Sequence, residues 1–236
     1  MQKVSNRQIS PHCILACLYF LLLPTTIAVN SAGNSILKLA TVPIGLFFVV
    51  TLILSKRKLE INGVHLMLLV YTLSTILTLF VDASETSIDY VIGYVLNAAI
   101  YICLTVMPYN KAELELMEHI QIVLLIALNM MTLFSNATED DRMTLMIMGQ
   151  TCDPNYFVGF FIFPLTIAMK HLISSKHRIW YVLLIAVSLY SVILSGSRGG
   201  WIAITVTIAG FSLIYPSGII KRIVYLFAGL IFLFFL

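Results

Sequence analysis

Charged residues are scarce in this sequence: Asp, Glu, Lys and Arg make up 11% of 236 residues, against about 25% in an ordinary soluble domain. So small a charged set excludes a soluble globular protein. The alternating short segments that build a barrel are lacking too. Runs of roughly 20 apolar residues recur instead, the length of a spanning helix. A net charge of +3 gives no reason to expect a nucleic-acid partner. No internal repeat and no low-complexity linker interrupts the chain, which predicts a single transmembrane helical domain over residues 1–236. Cys13, Cys17, Cys103 and Cys152 have neither metal-type nor paired spacing, and Cys13 and Cys17, on one helix face, read as packing. The contiguous carboxylates Glu139-Asp140-Asp141 fit no calcium-loop pattern, so neither a metal nor a cofactor is expected.

What the chain does have is apolar length. Nine segments, at about 12–29, 36–54, 63–81, 88–107, 119–135, 155–173, 178–196, 200–215 and 222–236, read as spanning helices. The predicted fold class is all-α, a polytopic transmembrane helix bundle of about nine spans. The last is cut short at Ile231-Phe232-Leu233-Phe234-Phe235-Leu236 with no polar tail, which predicts a C-terminally truncated chain. Lys3 and Arg7 precede a first run long enough to be an uncleaved helix rather than a signal peptide.

Basic residues give the orientation. With a cytoplasmic N-terminus, the inner segments hold Lys3, Arg7, Lys56, Arg57, Lys58, Lys111, Lys170, Lys176, Arg178, Lys221 and Arg222. The outer ones hold Lys38, Arg142 and Arg198; eleven and three account for all 14 basic residues. The positive-inside bias therefore predicts a multi-pass protein of the cytoplasmic membrane with its N-terminus inside. All five histidines fall on the inner side, and Asp82, Glu85, Asp89, Glu139, Asp140, Asp141 and Asp153 gather outside.

Positive charge is thus depleted outside, and Arg198 stands out. It lies in Ser195-Gly196-Ser197-Arg198-Gly199-Gly200-Trp201, between two apolar runs, with no acidic residue within ten positions. The next helix is expected to begin at Gly199 or Gly200, which sets its unpaired N–H groups and positive dipole end beside the guanidinium. Glycines allow an anion to approach the backbone closely, and a guanidinium bonds phosphate oxygens in pairs. Together these favour a phosphate or pyrophosphate at the outer surface. The plainer alternative is a snorkelling anchor beside a turn, which is the preferred account of Lys38. Trp201 suits the interfacial aromatic belt. The longest connection, about 136–154, contains Arg142 and a short apolar piece at 143–148, expected to lie along the interface or dip back in. Asp153 and Pro154 form an N-cap and first helical position, with Asn155 next.

The pattern of these residues resembles the O-antigen ligase and O-antigen polymerase superfamily, bacterial polytopic membrane proteins of surface-polysaccharide assembly. Ser195-Gly196-Ser197-Arg198-Gly199-Gly200, closing one helix and opening the next, is similar to the family's central signature. Arg142, Gly149, Asp153-Pro154-Asn155 and Pro164 are similar to its second recurring pattern. The two stand in the family's order about forty residues apart, over residues 140–215; the earlier helices match in general character only.

The resemblance implies an extracytoplasmic, inverting glycosyltransferase. It would move a glycan from a polyprenyl-diphosphate-linked oligosaccharide to a hydroxyl of a glycan or lipid-linked sugar acceptor, among membrane lipids and without nucleotide sugar or metal. It implies Arg142 and Arg198 as the catalytic pair that holds the diphosphate and stabilises its developing charge. Ser195, Ser197, Gly199, Gly200, Asp153 and Asn155 would bind substrate. Family members usually carry a further large outer loop with basic residues and often a histidine that helps activate the acceptor. Nothing after residue 215 resembles that loop, so no general base is expected in this chain. The motifs do not separate ligase from polymerase. Two other readings stay open: a secondary transporter or flippase-like carrier, with Pro24, Pro43 and Pro164 as helix breakers, and a non-catalytic accessory membrane subunit.

Overall fold

A segment in lipid must satisfy its backbone polar groups internally, so apolar runs of this length fold as helices. In the computed structural model the residues described are 9–27, 36–55, 57–81, 83–134, 138–139, 142–144, 146–147, 150–151 and 153–215. They contain α1 (Pro11–Leu22), prolonged by a 3-10 turn at Leu23–Ile27, and α2 (Ile36–Leu54). Next come α3 (Gly63–Leu77), prolonged by a 3-10 turn at Thr78–Phe80, α4 (Glu85–Thr105) and α5 (Lys111–Phe134). The series ends with α6 (Pro154–Ser174), α7 (Arg178–Leu194) and α8 (Arg198–Ile214). Eight of the nine expected segments thus fall on helices; the ninth, 222–236, lies outside the described residues.

Between α5 and α6 the described backbone pairs in two antiparallel ladders of two residues each. Thr138–Glu139 faces Arg142–Met143, and Met146–Ile147 faces Gln150–Thr151. Thr144, between the ladders, is fully buried, and the backbone of Met146–Ile147 lies beside the 3-10 turn Leu23–Ile27. Gly149 and Cys152 lie outside the described residues.

Among the described residues, three helices are long and apolar enough to cross a membrane: Gly63–Phe80, Lys111–Phe134 and Pro154–Ser174. The 17 residues of α7 or α8 rise about 25 Å, less than the roughly 30 Å of a bilayer core. The surface of α3 is apolar on nearly every side, with Met67, Val70, Tyr71, Leu77 and Phe80 exposed and only His65 buried. An apolar surface of this kind suits a lipid-facing helix, since water would penalise it along its whole length.

Contacts gather into two compact units, Met1–Tyr19 with Leu37–Met117 and Phe20–Ile36 with Glu118–Leu236. The first is organised around Glu113, whose carboxylate is fully buried. Asn110 and Glu113 form a reciprocal capping box at the start of α5: Glu113 N–H donates to Asn110 Oδ1 (3.0 Å) and Asn110 N–H donates to Glu113 Oε2 (2.8 Å). Arg57 donates to both carboxylate oxygens (2.6 and 3.0 Å), and the Ser10 N–H donates to Oε1 (2.9 Å). A hydrogen-bonded carboxylate so close holds the Arg57 guanidinium above its ordinary pKa. Cys13 Sγ reaches the Glu113 carbonyl at 3.7 Å, in line with the packing expected of that thiol. Two histidines are spent on structure. His12 pairs with Thr51 Oγ1 (2.8 Å) and the Cys103 carbonyl (2.9 Å), and His65 joins α3 to Thr105 Oγ1 of α4 (2.8 Å).

The second unit has a core of Leu125 and Leu128 from α5, Phe157, Phe161 and Leu165 from α6, and Ile204 from α8. Helix α6 packs along both α7 and α8. Polar groups staple it where apolar contact gives no direction. Asn129 Nδ2 donates to Ser188 Oγ (2.8 Å), and Ser191 Oγ donates to Asn129 Oδ1 (3.1 Å), tying α5 to α7. Nearer the start of α5, Glu118 pairs with Lys170 and with His171 (3.1 Å), and the His171 ring stacks on Tyr181. Asn155 and Lys170 are thus at opposite ends of α6, about 22 Å apart along its axis.

Arg57→Ala would leave the Glu113 carboxylate buried without its cation, with hydrogen bonds from Ser10 and Asn110 alone. The expected loss is about 3 kcal/mol, read as a lower midpoint when the detergent-solubilised chain is unfolded with SDS and followed by far-UV circular dichroism. An unchanged midpoint would mean that Arg57 is not what compensates the buried charge.

Candidate functional site

The end of the second unit away from Lys170 is built from two chain reversals. At the start of α6, Asp153 Oδ1 accepts the Asn155 N–H (2.7 Å), Pro154 takes the first helical position, and Phe157 N–H donates to the Asp153 carbonyl (3.0 Å). This is the start the sequence predicts, and its cause is ordinary: the carboxylate satisfies an orphan donor and proline has none to satisfy.

The second reversal joins α7 to α8. Gly196 has φ 59°, a left-handed conformation that only glycine adopts without a Cβ clash, as at many helix C-termini. Its N–H donates to the Ile193 carbonyl (3.0 Å). Ser195 is buried, its hydroxyl donating to the Val192 carbonyl (2.6 Å) and accepting the Ser197 N–H (3.3 Å). Ser197 then caps α8: its Oγ accepts the Gly200 N–H (2.9 Å), and its carbonyl accepts the first intrahelical bond, from Trp201 N–H (3.0 Å). The helix accordingly begins at Arg198, one or two residues before the expected Gly199 or Gly200, because the serine and not a glycine supplies the cap.

The two reversals touch. Ser197 Oγ–H donates to Asn155 Oδ1 at 2.6 Å, across 42 residues of sequence. A Cβ on Gly199 would stand 3.2 Å from that same Oδ1, and a Cβ on Gly200 would stand 2.7 Å from the Val158 side chain. Asn155 and Val158 are one helical turn apart on α6, as Ser197 and Gly200 are at the start of α8. The contact is therefore a pair of matched i, i+3 rows, polar at one step and close-packed at the next. The matched spacing is a signal in the sequence, but only once α6 is known to lie on α8. Val158 is the member of this end that sequence reasoning missed.

Of the expected site residues, the structure brings together Asp153, Asn155, Ser195, Ser197, Arg198, Gly199 and Gly200. Asp153, Asn155, Arg198 and Gly199 are exposed, whereas Ser195, Ser197 and Gly200 are buried. The buried three hold the turn and the helix contact; their polar atoms are already engaged. Arg198 makes no ion pair or side-chain hydrogen bond with another described residue. Its own N–H and that of Gly199 belong to the first turn and have no acceptor inside the helix. An exposed cation beside such donors suits an anion. The backbone of Arg142 pairs with Glu139 and lies beside α7. Its side chain, and with it the expected meeting of the two arginines, lies outside the described residues. No family model matches the chain, and neither a curated protein nor a solved structure matches it.

Gly200→Ala should push α8 off α6, at a cost of about 1–3 kcal/mol. Val158→Ala, made in addition, should recover part of the loss by removing two of the overlapping carbons. Thermal unfolding of the two variants in the same detergent checks this; equal destabilisation of single and double variants would contradict it.

Proposed function

We propose that this chain is a multi-pass protein of the cytoplasmic membrane, of about nine spans with its N-terminus inside, that transfers glycans on the extracytoplasmic face. In this proposal it is an O-antigen ligase or surface-polysaccharide polymerase, and its donor is a glycan on a polyprenyl diphosphate. The orientation rests on the eleven-to-three division of basic residues, which leaves the Arg198 end outside.

One observation carries the proposal. The two stretches that resemble the family's patterns meet side chain to side chain, through Ser197 and Asn155, at the end of the bundle where Arg198 is exposed. A chance resemblance of two separate stretches has no reason to join them in space. In the reaction, an acceptor hydroxyl oxygen attacks the anomeric carbon, the bond from that carbon to the diphosphate breaks, and the polyprenyl diphosphate departs with the electron pair. Arg198, with Arg142 as the expected second cation, stabilises the charge that develops on the diphosphate. The hydroxyl proton is released to water at the outer surface, and Arg198 acts on the leaving diphosphate and not on that proton.

Arg198→Ala, expressed from the native gene, should abolish polymer assembly while the protein accumulates in the membrane at its normal level. Arg198→Lys should rescue poorly, because an ammonium keeps the charge and loses the paired hydrogen bonds. Surface polysaccharide resolved by gel electrophoresis is the measurement. Polymer of normal length and amount from the alanine variant would overturn the diphosphate clamp.

A further inference from the structure

We infer that Asn155 is a positioning residue: it acts on the proposed reaction through Ser197, by fixing where Arg198 stands, and not by contact with substrate. This rests on the glycan-transfer proposal for its function and on the geometry alone for its mechanism.

The hydroxyl of Ser197 is the centre of the arrangement. It has one proton and it donates that proton to Asn155 Oδ1 (2.6 Å), while its lone pair accepts the Gly200 N–H (2.9 Å). The residue is buried, so water does not compete for either bond. Arg198 is the next residue and the first of α8. Its backbone is therefore bracketed between a cap fixed to α6 and a glycine packed on Val158 of α6. Asn155 is itself fixed at its own backbone, its N–H held by the Asp153 carboxylate (2.7 Å). A chain of hydrogen bonds thus runs from the cap of α6 to the cap of α8, and Arg198 is the exposed side chain it locates. The close approach at Gly199, where a Cβ would stand 3.2 Å from Asn155 Oδ1, shows that the carbonyl end of the amide is turned into the hairpin. On direct contact with substrate, Asn155 would add binding energy of its own; as a positioning residue it contributes nothing once the Ser197 bond is gone.

The test is a double-variant cycle on the purified full chain with Trp180→Phe, which leaves Trp201, three positions after Arg198, as the tryptophan reporter. Asn155→Ala, Ser197→Ala, the double variant, Asn155→Asp and Arg198→Ala are compared. Two readouts are taken: acrylamide quenching of Trp201 without ligand, and the affinity for undecaprenyl diphosphate against neutral undecaprenol. Asn155→Ala and Ser197→Ala should each raise quenching and each weaken diphosphate binding about five- to tenfold, with undecaprenol unaffected. The double variant should be no worse than Ser197→Ala alone, within about twofold, since Ser197→Ala already loses both the bond to Asn155 and the cap on Gly200. Asn155→Asp keeps an acceptor for Ser197 and should leave quenching as in the parent. Additive losses in the double variant, or unchanged quenching in Asn155→Ala, would overturn the positioning role. Diphosphate binding that survives Arg198→Ala undiminished would instead overturn the glycan-transfer proposal, while the quenching pattern would still decide whether Asn155 holds the hairpin.

Discussion

The hydrogen bond from Ser197 to Asn155 is the constraint on which the rest of this end of the molecule depends. Helices α6 and α8 present mostly apolar faces to each other, and apolar packing alone has little preference for one register over the next. One hydroxyl with one proton does have a preference. It can donate to the amide and accept from Gly200 only if the start of α8 stands beside the first turn of α6. The register so fixed brings Gly200 against Val158, where any side chain would overlap. A single bond of this kind is worth about 0.5–1.5 kcal/mol net. Its importance lies in direction rather than size, because it decides which residue of the hairpin is presented outward.

The same device recurs in the remainder of the chain with different residues. Asn129 bridges α5 to α7 through Ser188 and Ser191. His65 joins α3 to α4, and Glu113 collects donors from Arg57, Ser10 and Asn110. In each case a polar group that would be costly to bury alone is satisfied by a partner on another element, so the helices are tied at a few defined points. The histidines, all expected on the inner side, are partly absorbed by this work: His12 and His65 in the first unit, His171 with Glu118 in the second. These are structural roles, and they leave Arg198 as a cation with a different standing.

Much of the helix pattern was legible in the sequence because a run of apolar residues leaves the backbone no other choice in lipid. The start of α6 was legible for a local reason, since Asp153 and Pro154 are cap and first turn within two residues. Helix α8 starts at Arg198, one or two positions before the expected Gly199 or Gly200, because a serine two residues ahead of the glycines supplies the cap. Of the glycines, Gly196 makes the left-handed turn that the plainer sequence reading allows, and Gly200 packs against Val158. The two-residue ladders at 138–151 carry no period that a sequence could display, and the piece at 143–148 was expected only to lie along or dip into the interface. The Arg57–Glu113 and Ser197–Asn155 bonds join residues 56 and 42 positions apart. Such pairs become visible only when packing has set which helix faces which.

The most direct measurement is a disulfide between the two reversals. With Cys152 replaced by serine, Asn155→Cys and Ser197→Cys are introduced together with a protease site in the exposed 175–177 connection. The membranes are oxidised, cleaved and run without reductant. The disulfide stands in place of the Ser197–Asn155 hydrogen bond, so if the start of α6 and the cap of α8 lie side by side, the two fragments stay joined and separate only on reduction. Fragments that separate without reductant, from chains whose two introduced cysteines both react with maleimide, would contradict the account.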